Sequence, residues 1–144
     1  MFLKEIVSKW NLNCSFPIPD VEVLGITENS KKVRNGYIFV SIPGEHSNGS
    51  AYIPEAIEKG AIAIIGMLGL SDELVSLLKE KQIPYFVHEK PRCLLGELAH
   101  CLAGDPTRSM VVIGITGTNG KTTTTFLVES ILKEAGIKVA RFGT

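Results

Sequence analysis

The stretch Val111-Val112-Ile113-Gly114-Ile115-Thr116-Gly117-Thr118-Asn119-Gly120-Lys121-Thr122-Thr123 constrains this chain more than any other. Its first residues are a short apolar run, the pattern of a buried strand. The run ends in a turn with two glycines, then Lys-Thr-Thr, and apolar spacing becomes helical beyond it. Leu127, Ile131 and Ala135 lie four apart, with Val128 and Leu132 beside them, so one helix face is apolar. Strand, glycine turn and helix form the setting in which a phosphate-binding loop is credible. Backbone N–H groups at a helix start point outward, and the dipole there favours an anion. Gly117 and Gly120 carry no Cβ, so the main chain can wrap a phosphate closely. Lys121 can set its ammonium against outer phosphates, and Thr122 can offer a hydroxyl to magnesium. Thr116 and Thr118 are expected to line the phosphates, and Asn119 to shape the loop, since Asn tolerates left-handed backbone. The strict pattern has four residues between its first Gly and Gly-Lys; here five residues separate Gly114 from Gly120, so the match is to a variant. An ordinary capped turn would not explain a Lys-Thr pair here, nor the β-branched run from Thr122 to Thr125, which is poor helix material.

The rest of the chain reads as alternating strands and helices. A helix is expected over residues 2–10, with Phe2, Ile6 and Trp10 on one face. A strand is expected over 21–26, a polar turn over 27–33, and a second strand over 37–42 introduced by Asn35-Gly36. After a loop rich in turn residues (43–50), a helix over 51–59 turns Ile53, Ala56 and Ile57 inward and stops at Gly60. Residues 61–65 are continuously apolar, as in a strand covered on both faces. Ser71-Asp72-Glu73 opens a helix whose inner side is Leu74, Val75, Leu77 and Leu78. A strand over 83–87 and a helix over 92–103 follow, and Gly104-Asp105-Pro106 has the look of a domain junction.

The expected fold class is therefore layered α/β: a mixed α/β domain over residues 1–105, then a phosphate-loop domain begun over 106–144 by a strand (110–116), a helix (120–136) and a second strand (138–142). Such a unit leaves strand edges and a helix face uncovered, so the chain is expected to be a piece cut early in its second domain. With 15 basic and 15 acidic residues there is no net field to recommend nucleic acid or an anionic membrane as partner. The longest apolar run is far too short to span a bilayer, and the N-terminus lacks a signal-peptide core. Three cysteines without metal or paired spacing, two of them in a helical pattern as small core hydrophobes, point to the cytoplasm.

Read together, these segments resemble the Mur ligases of peptidoglycan assembly. Gly114 to Thr125 is close to that family's own form of the phosphate loop, which accounts for the altered spacing. The helix carrying Glu129-Ser130-Ile131-Leu132 and the closing Gly143-Thr144 resemble most the MurE-type branch, which adds the third residue of the stem peptide. Asn29-Ser30-Lys31-Lys32-Val33 and the following Asn35-Gly36-Tyr37-Ile38-Phe39-Val40 resemble the family's Asp-Ser-Arg turn and the strand after it. Gly44-Glu45-His46-Ser47-Asn48-Gly49, then Ile53-Pro54-Glu55-Ala56-Ile57, resemble its next block, and Gly104-Asp105-Pro106-Thr107-Arg108 its interdomain link. Two residues depart from the pattern: Asn29 stands for Asp, and Lys31 for Arg, which removes a planar two-point contact.

The resemblance implies an ATP- and magnesium-dependent amide ligase, monomeric, that joins a diamino acid to UDP-MurNAc-L-Ala-D-Glu through an acyl-phosphate. It implies that Thr116, Gly117, Thr118, Asn119, Gly120, Lys121, Thr122 and Thr123 hold ATP. Lys121 would act in catalysis, Thr122 would hold Mg2+, and Asn29, Ser30, Glu45, His46 and Ser47 would hold the uridine diphosphate end. By itself this chain is expected to turn nothing over. Two alternatives stand beside this reading: a MurF-type ligase adding D-Ala-D-Ala, and a non-catalytic nucleotide- or UDP-sugar-binding module.

Overall fold

The computed structural model describes residues 1–14, 16–44 and 49–143. The chain forms two compact units, Met1–Pro106 and Thr107–Thr144.

The first unit is built on a four-stranded sheet: β1 (Gly25–Thr27), β2 (Tyr37–Val40), β3 (Ala61–Gly66) and β4 (Tyr85–Val87). They lie in that order, every neighbouring pair parallel. Parallel strands need crossovers. Helix α2 (Ile53–Glu58) lies in the β2–β3 connection and α3 (Asp72–Glu80) in that of β3–β4. Only residues 28–36, with a single 3-10 turn at Ser30–Lys32, link β1 to β2. Helices α1 (Leu3–Lys9) and α4 (Pro91–Leu102) flank this core in sequence.

Alternation along the strands sorts side chains into two layers. Ile38, Val40, Ala63, Ile65 and Phe86 face α1 and α4, through Leu3, Ile6, Leu94 and Leu98. Phe39, Ala61 and Ile64 face α2 and α3, through Ile53, Ala56 and Leu78. The register slips once: Tyr37 pairs with Ala61 but Ile38 with Ala63. That bulge at Ile62 lets Ala61 and Ile64 share one face although they are three apart. Every buried apolar side chain among the described residues lies between Leu3 and Leu98. Each such burial of a Val, Leu, Ile or Phe contributes about 1.5–3 kcal/mol, so the first unit holds the hydrophobic core.

Several boundaries differ from the expected ones. The strand expected from residue 21 joins the sheet only at Gly25. Before that the backbone pairs antiparallel with the N-terminus, Leu3 N–H donating to the Val21 carbonyl and Val23 N–H to that of Met1 at 2.9 Å each. Phe2 is not on the inner helix face. It precedes α1, is half exposed, and receives Glu5 Oε2 on its N–H at 2.7 Å, leaving Leu3 and Ile6 as the buried pair. On α3 only Leu78 is fully buried; Leu74, Val75 and Leu77 are partly covered. Cys93 is exposed rather than in the core, because it sits between the buried positions Pro91 and Leu94 on α4's outer arc.

Gly66 ends β3 against the Tyr85 ring, whose hydroxyl donates to the Met67 carbonyl at 2.6 Å. Burial pushes the Tyr85 hydroxyl up to about 12, so it remains a donor at neutral pH. A Cβ on Gly66 would overlap the phenol. Gly66→Ala is therefore expected to destabilise the first unit by about 1–3 kcal/mol. Thermal melting checks this; an unchanged Tm would mean that Tyr85 simply swings aside.

The second unit contains helix α5 (Lys121–Glu134). Gly120 precedes it with φ +75°, and Gly136 closes it with φ +74°. Gly136 N–H donates to Lys133 O and Ile137 N–H to Leu132 O, both at 2.9 Å, the paired bonds of a Schellman stop. The strands expected over 110–116 and 138–142 do not form: no ladder joins them among the described residues. Two parallel strands have too few partners to be stable in water. Val111, Val112 and Ile113 accordingly remain exposed. Residues near the end instead reach α5 through side chains. Arg141 Nε donates to Glu129 Oε2 at 3.0 Å, and its guanidinium lies 3.8 Å from the Phe126 ring centre. Lys133, foremost, and then Arg141 hold the Glu129 carboxyl below the usual carboxylate range. Among the described residues no helix is long and apolar enough to cross a membrane.

Candidate functional site

The phosphate-loop residues fall at the N-terminal end of α5. The loop must turn back sharply to start the helix, and its glycines make that possible: Gly117 has φ +148° and Gly120 φ +75°, in the region that side chains avoid. Around Gly120 there is open space within 4 Å, so its constraint is the dihedral rather than crowding. Gly120 O takes the first helical bond, from Thr124 N–H at 2.8 Å. Lys121 Nζ curls back over the loop, donating to Gly117 O at 2.6 Å and Thr118 O at 3.3 Å. Thr125 Oγ1 donates to Thr122 O at 2.7 Å, which accommodates the β-branched run in the first turns. Thr116 through Thr123 are all exposed. One ammonium, two threonine hydroxyls (Thr122 and Thr123) and the first-turn amides thus fall within three residues of one another at an exposed helix start. That donor set fits a polyphosphate and a divalent cation, which Thr122 could ligate through its hydroxyl.

The other candidate residues lie in the first unit. Because β1 and β2 are parallel neighbours, the segments following them emerge along the same sheet edge. Ligands of open α/β sheets sit outside that carboxyl edge. Asn29 and Ser30 follow β1 and residues 41–44 follow β2. Asn29 Oδ1 accepts from Lys31 N–H at 3.0 Å, and its own N–H donates to Thr27 Oγ1 at 3.1 Å, so it shapes the turn. Ser30 is only 6% exposed and its hydroxyl donates to Glu55 Oε2 at 2.5 Å. Glu55 was not among the sequence candidates. Its pairing with Lys59, one helical turn on, is legible in sequence; its bond to Ser30, far back in the chain, is not. Glu45, His46 and Ser47 lie outside the described residues.

A cleft of ≈ 510 Å³ between α1 and α4, lined by Lys9, Trp10, Glu97, His100, Cys101 and Asp105, contains none of the candidate residues. Its polar groups are engaged with one another: Trp10 Nε1 donates to Glu97 Oε2 at 2.9 Å, and Lys9 Nζ to Cys101 Sγ at 3.1 Å.

The chain is thus an α/β protein, a parallel sheet unit followed by a glycine loop with a lysine at a helix start. The chain belongs to the Mur ligase family: the family profile described as "Mur ligase family, catalytic domain" matches residues 22–101, all within the first unit. It is 45% identical over 122 residues to the UDP-N-acetylmuramoyl-L-alanyl-D-glutamate–2,6-diaminopimelate ligase of Aquifex aeolicus, covering 85% of this chain and 23% of that protein. The ligase of the same description from Clostridium tetani is 36% identical over 144 residues, 100% of this chain and 29% of that one. Among solved structures, the MurF ligase of Thermotoga maritima in complex with ADP is similar with a TM-score of 0.52 and 32% identity, over 76% of this chain and 23% of that one. The chain spans about a quarter of the length of the curated relatives it matches.

Proposed function

We propose that this chain carries the sugar-nucleotide and phosphate-loop portions of an ATP-dependent amide ligase that adds a diamino acid to UDP-MurNAc-L-Ala-D-Glu. The observation that carries this reading is Lys121. Its ammonium sits over the glycine turn at the start of α5, in a chain of this family. When bound, ATP supplies the phosphoryl group that activates the substrate's glutamate carboxylate. This chain's part would be electrostatic: Lys121 and the loop amides would hold the phosphates and stabilise their charge, and Thr122 would offer a hydroxyl to magnesium. Asn29 and Ser30, at the carboxyl edge of the sheet, would hold the uridine diphosphate end, with Glu45, His46 and Ser47 completing that grip. The third-residue ligation is favoured over D-Ala-D-Ala addition by the names of the relatives matched over most or all of this chain. The setting is the cytoplasm, and the ligase acts as a monomer.

A calorimetric titration of this 144-residue chain with the UDP-sugar dipeptide, UDP and ATP tests the reading. Both uridine ligands are expected to bind, and Ser30→Ala to weaken both by the same factor, since they share the uridine end. A folded chain that binds neither would overturn the assignment of the first unit.

A further inference from the structure

Ser30 and Glu55 form a contact that has a direction. Ser30 opens a 3-10 turn after β1, Glu55 lies on α2, and these two elements pack together. Glu55 uses both carboxylate oxygens: Oε2 accepts from the Ser30 hydroxyl at 2.5 Å, and Oε1 accepts from Lys59 Nζ at 2.7 Å. Lys59 first, and Ser30 next, hold the Glu55 carboxyl below its ordinary range, so it is ionised at neutral pH. An ionised carboxylate can only accept, and a serine hydroxyl has one proton. With that proton committed to Glu55, Ser30 Oγ has only lone pairs left for a third group. A serine free to rotate would meet donors and acceptors alike; this one does not.

We propose that Glu55 is a positioning residue for the sugar nucleotide: it takes the Ser30 proton and makes Ser30 a pure acceptor, so that the ligand group met there must be a hydrogen-bond donor. In a uridine nucleotide the donors are the pyrimidine ring N–H and the ribose hydroxyls. The inference rests on the reading that Ser30 faces uridine diphosphate, and it goes beyond that reading by giving the contact its polarity and its second residue. A site of fixed polarity rejects a ligand that lacks the matching group, because the protein group is then left unpaired.

The test is calorimetric, on the 144-residue chain as it stands. The probes are UDP, N3-methyl-UDP, which lacks the ring N–H, and 2′,3′-dideoxy-UDP, which lacks the ribose hydroxyls. The variants are Ser30→Ala, Glu55→Leu, Glu55→Gln and the Ser30→Ala/Glu55→Leu double variant, each shown by thermal melting to be folded. Ser30→Ala and Glu55→Leu are each expected to weaken UDP about tenfold, the upper range for one neutral hydrogen bond. The double variant is expected to bind no more weakly than Ser30→Ala alone, since both changes remove one coupled contact. Glu55→Gln keeps a carbonyl that can take the proton, and is expected to retain most of the affinity where Glu55→Leu loses it. One of the two analogues should bind the unaltered chain as weakly as UDP binds Ser30→Ala. Losses that add in the double variant, UDP affinity untouched by Glu55→Leu, or both analogues binding like UDP would each overturn the proposal while leaving the uridine site standing. If the folded, unaltered chain binds no UDP, the site assignment falls and this proposal with it.

Discussion

Lys121→Ala is expected to lower the rate of amide-bond formation by about a thousandfold, the upper range for losing one preorganised charge-stabilising donor, while leaving UDP-sugar affinity nearly unchanged. The measurement uses a chimera in which this chain replaces the matching segment of the Aquifex aeolicus ligase. Lys121 is exposed and, among the described residues, its Nζ donates to the carbonyls of Gly117 and Thr118, so its removal leaves no buried partner there unsatisfied. The helix should survive, since alanine is the better helix former. The hydrophobic core and the uridine candidates Asn29 and Ser30 belong to the first unit, so their binding has no reason to change. Phosphoryl transfer depends on positioning and charge, and a lysine lost from the loop removes both. Lys121→Arg is not a rescue, because a planar fork does not reproduce a compact ammonium. Equal loss of ligation and UDP-sugar binding would show that Lys121 serves structure instead.

Phe39→Ala is expected to cost the first unit about 3–5 kcal/mol. The ring lies on β2, 1% exposed, facing Ile53, Ala56, Ile64 and Leu78 between the sheet and α2/α3. A β-strand scaffold and two helices surround it, so the cavity has little freedom to collapse. Native domains are stable by only about 5–15 kcal/mol, so this single change should bring the unit near unfolding. Urea denaturation followed by circular dichroism reads the difference. Phe142→Ala, at a ring that is 91% exposed, is the contrast and should stay within about 0.5 kcal/mol. A loss below about 1 kcal/mol for Phe39→Ala would mean that the α2/α3 layer is not packed as described.

Much of this architecture is local chemistry and could be read from the chain. The run 61–65 is apolar throughout because β3 is covered on both faces. Ser71 accepts from Leu74 N–H at 3.4 Å as an N-cap, and Gly60, at φ +94°, follows α2 as its stop. The glycine turn ahead of α5 was legible for the same reason: its glycines, lysine and threonines lie within a few residues of one another. What was not legible depends on distant partners. Residues 21–23 carry strand-like side chains, yet their hydrogen bonds go to Met1 and Leu3 rather than to the sheet. Residues 110–116 have every mark of a buried strand and form none, since a ladder is a property of two segments.

Legible in the chain, therefore, were the alternation of strands and helices, the glycine turn followed by Lys121, and the likeness to a ligase family. Each follows from backbone preference and side-chain periodicity within a short window. Only the tertiary structure decided the all-parallel order of the sheet, the bulge at Ile62 and the exposure of Cys93. It alone brought Glu55 to Ser30. These depend on which surfaces meet across long loops, and meeting is settled by the free energy of the whole packed core rather than by any one segment.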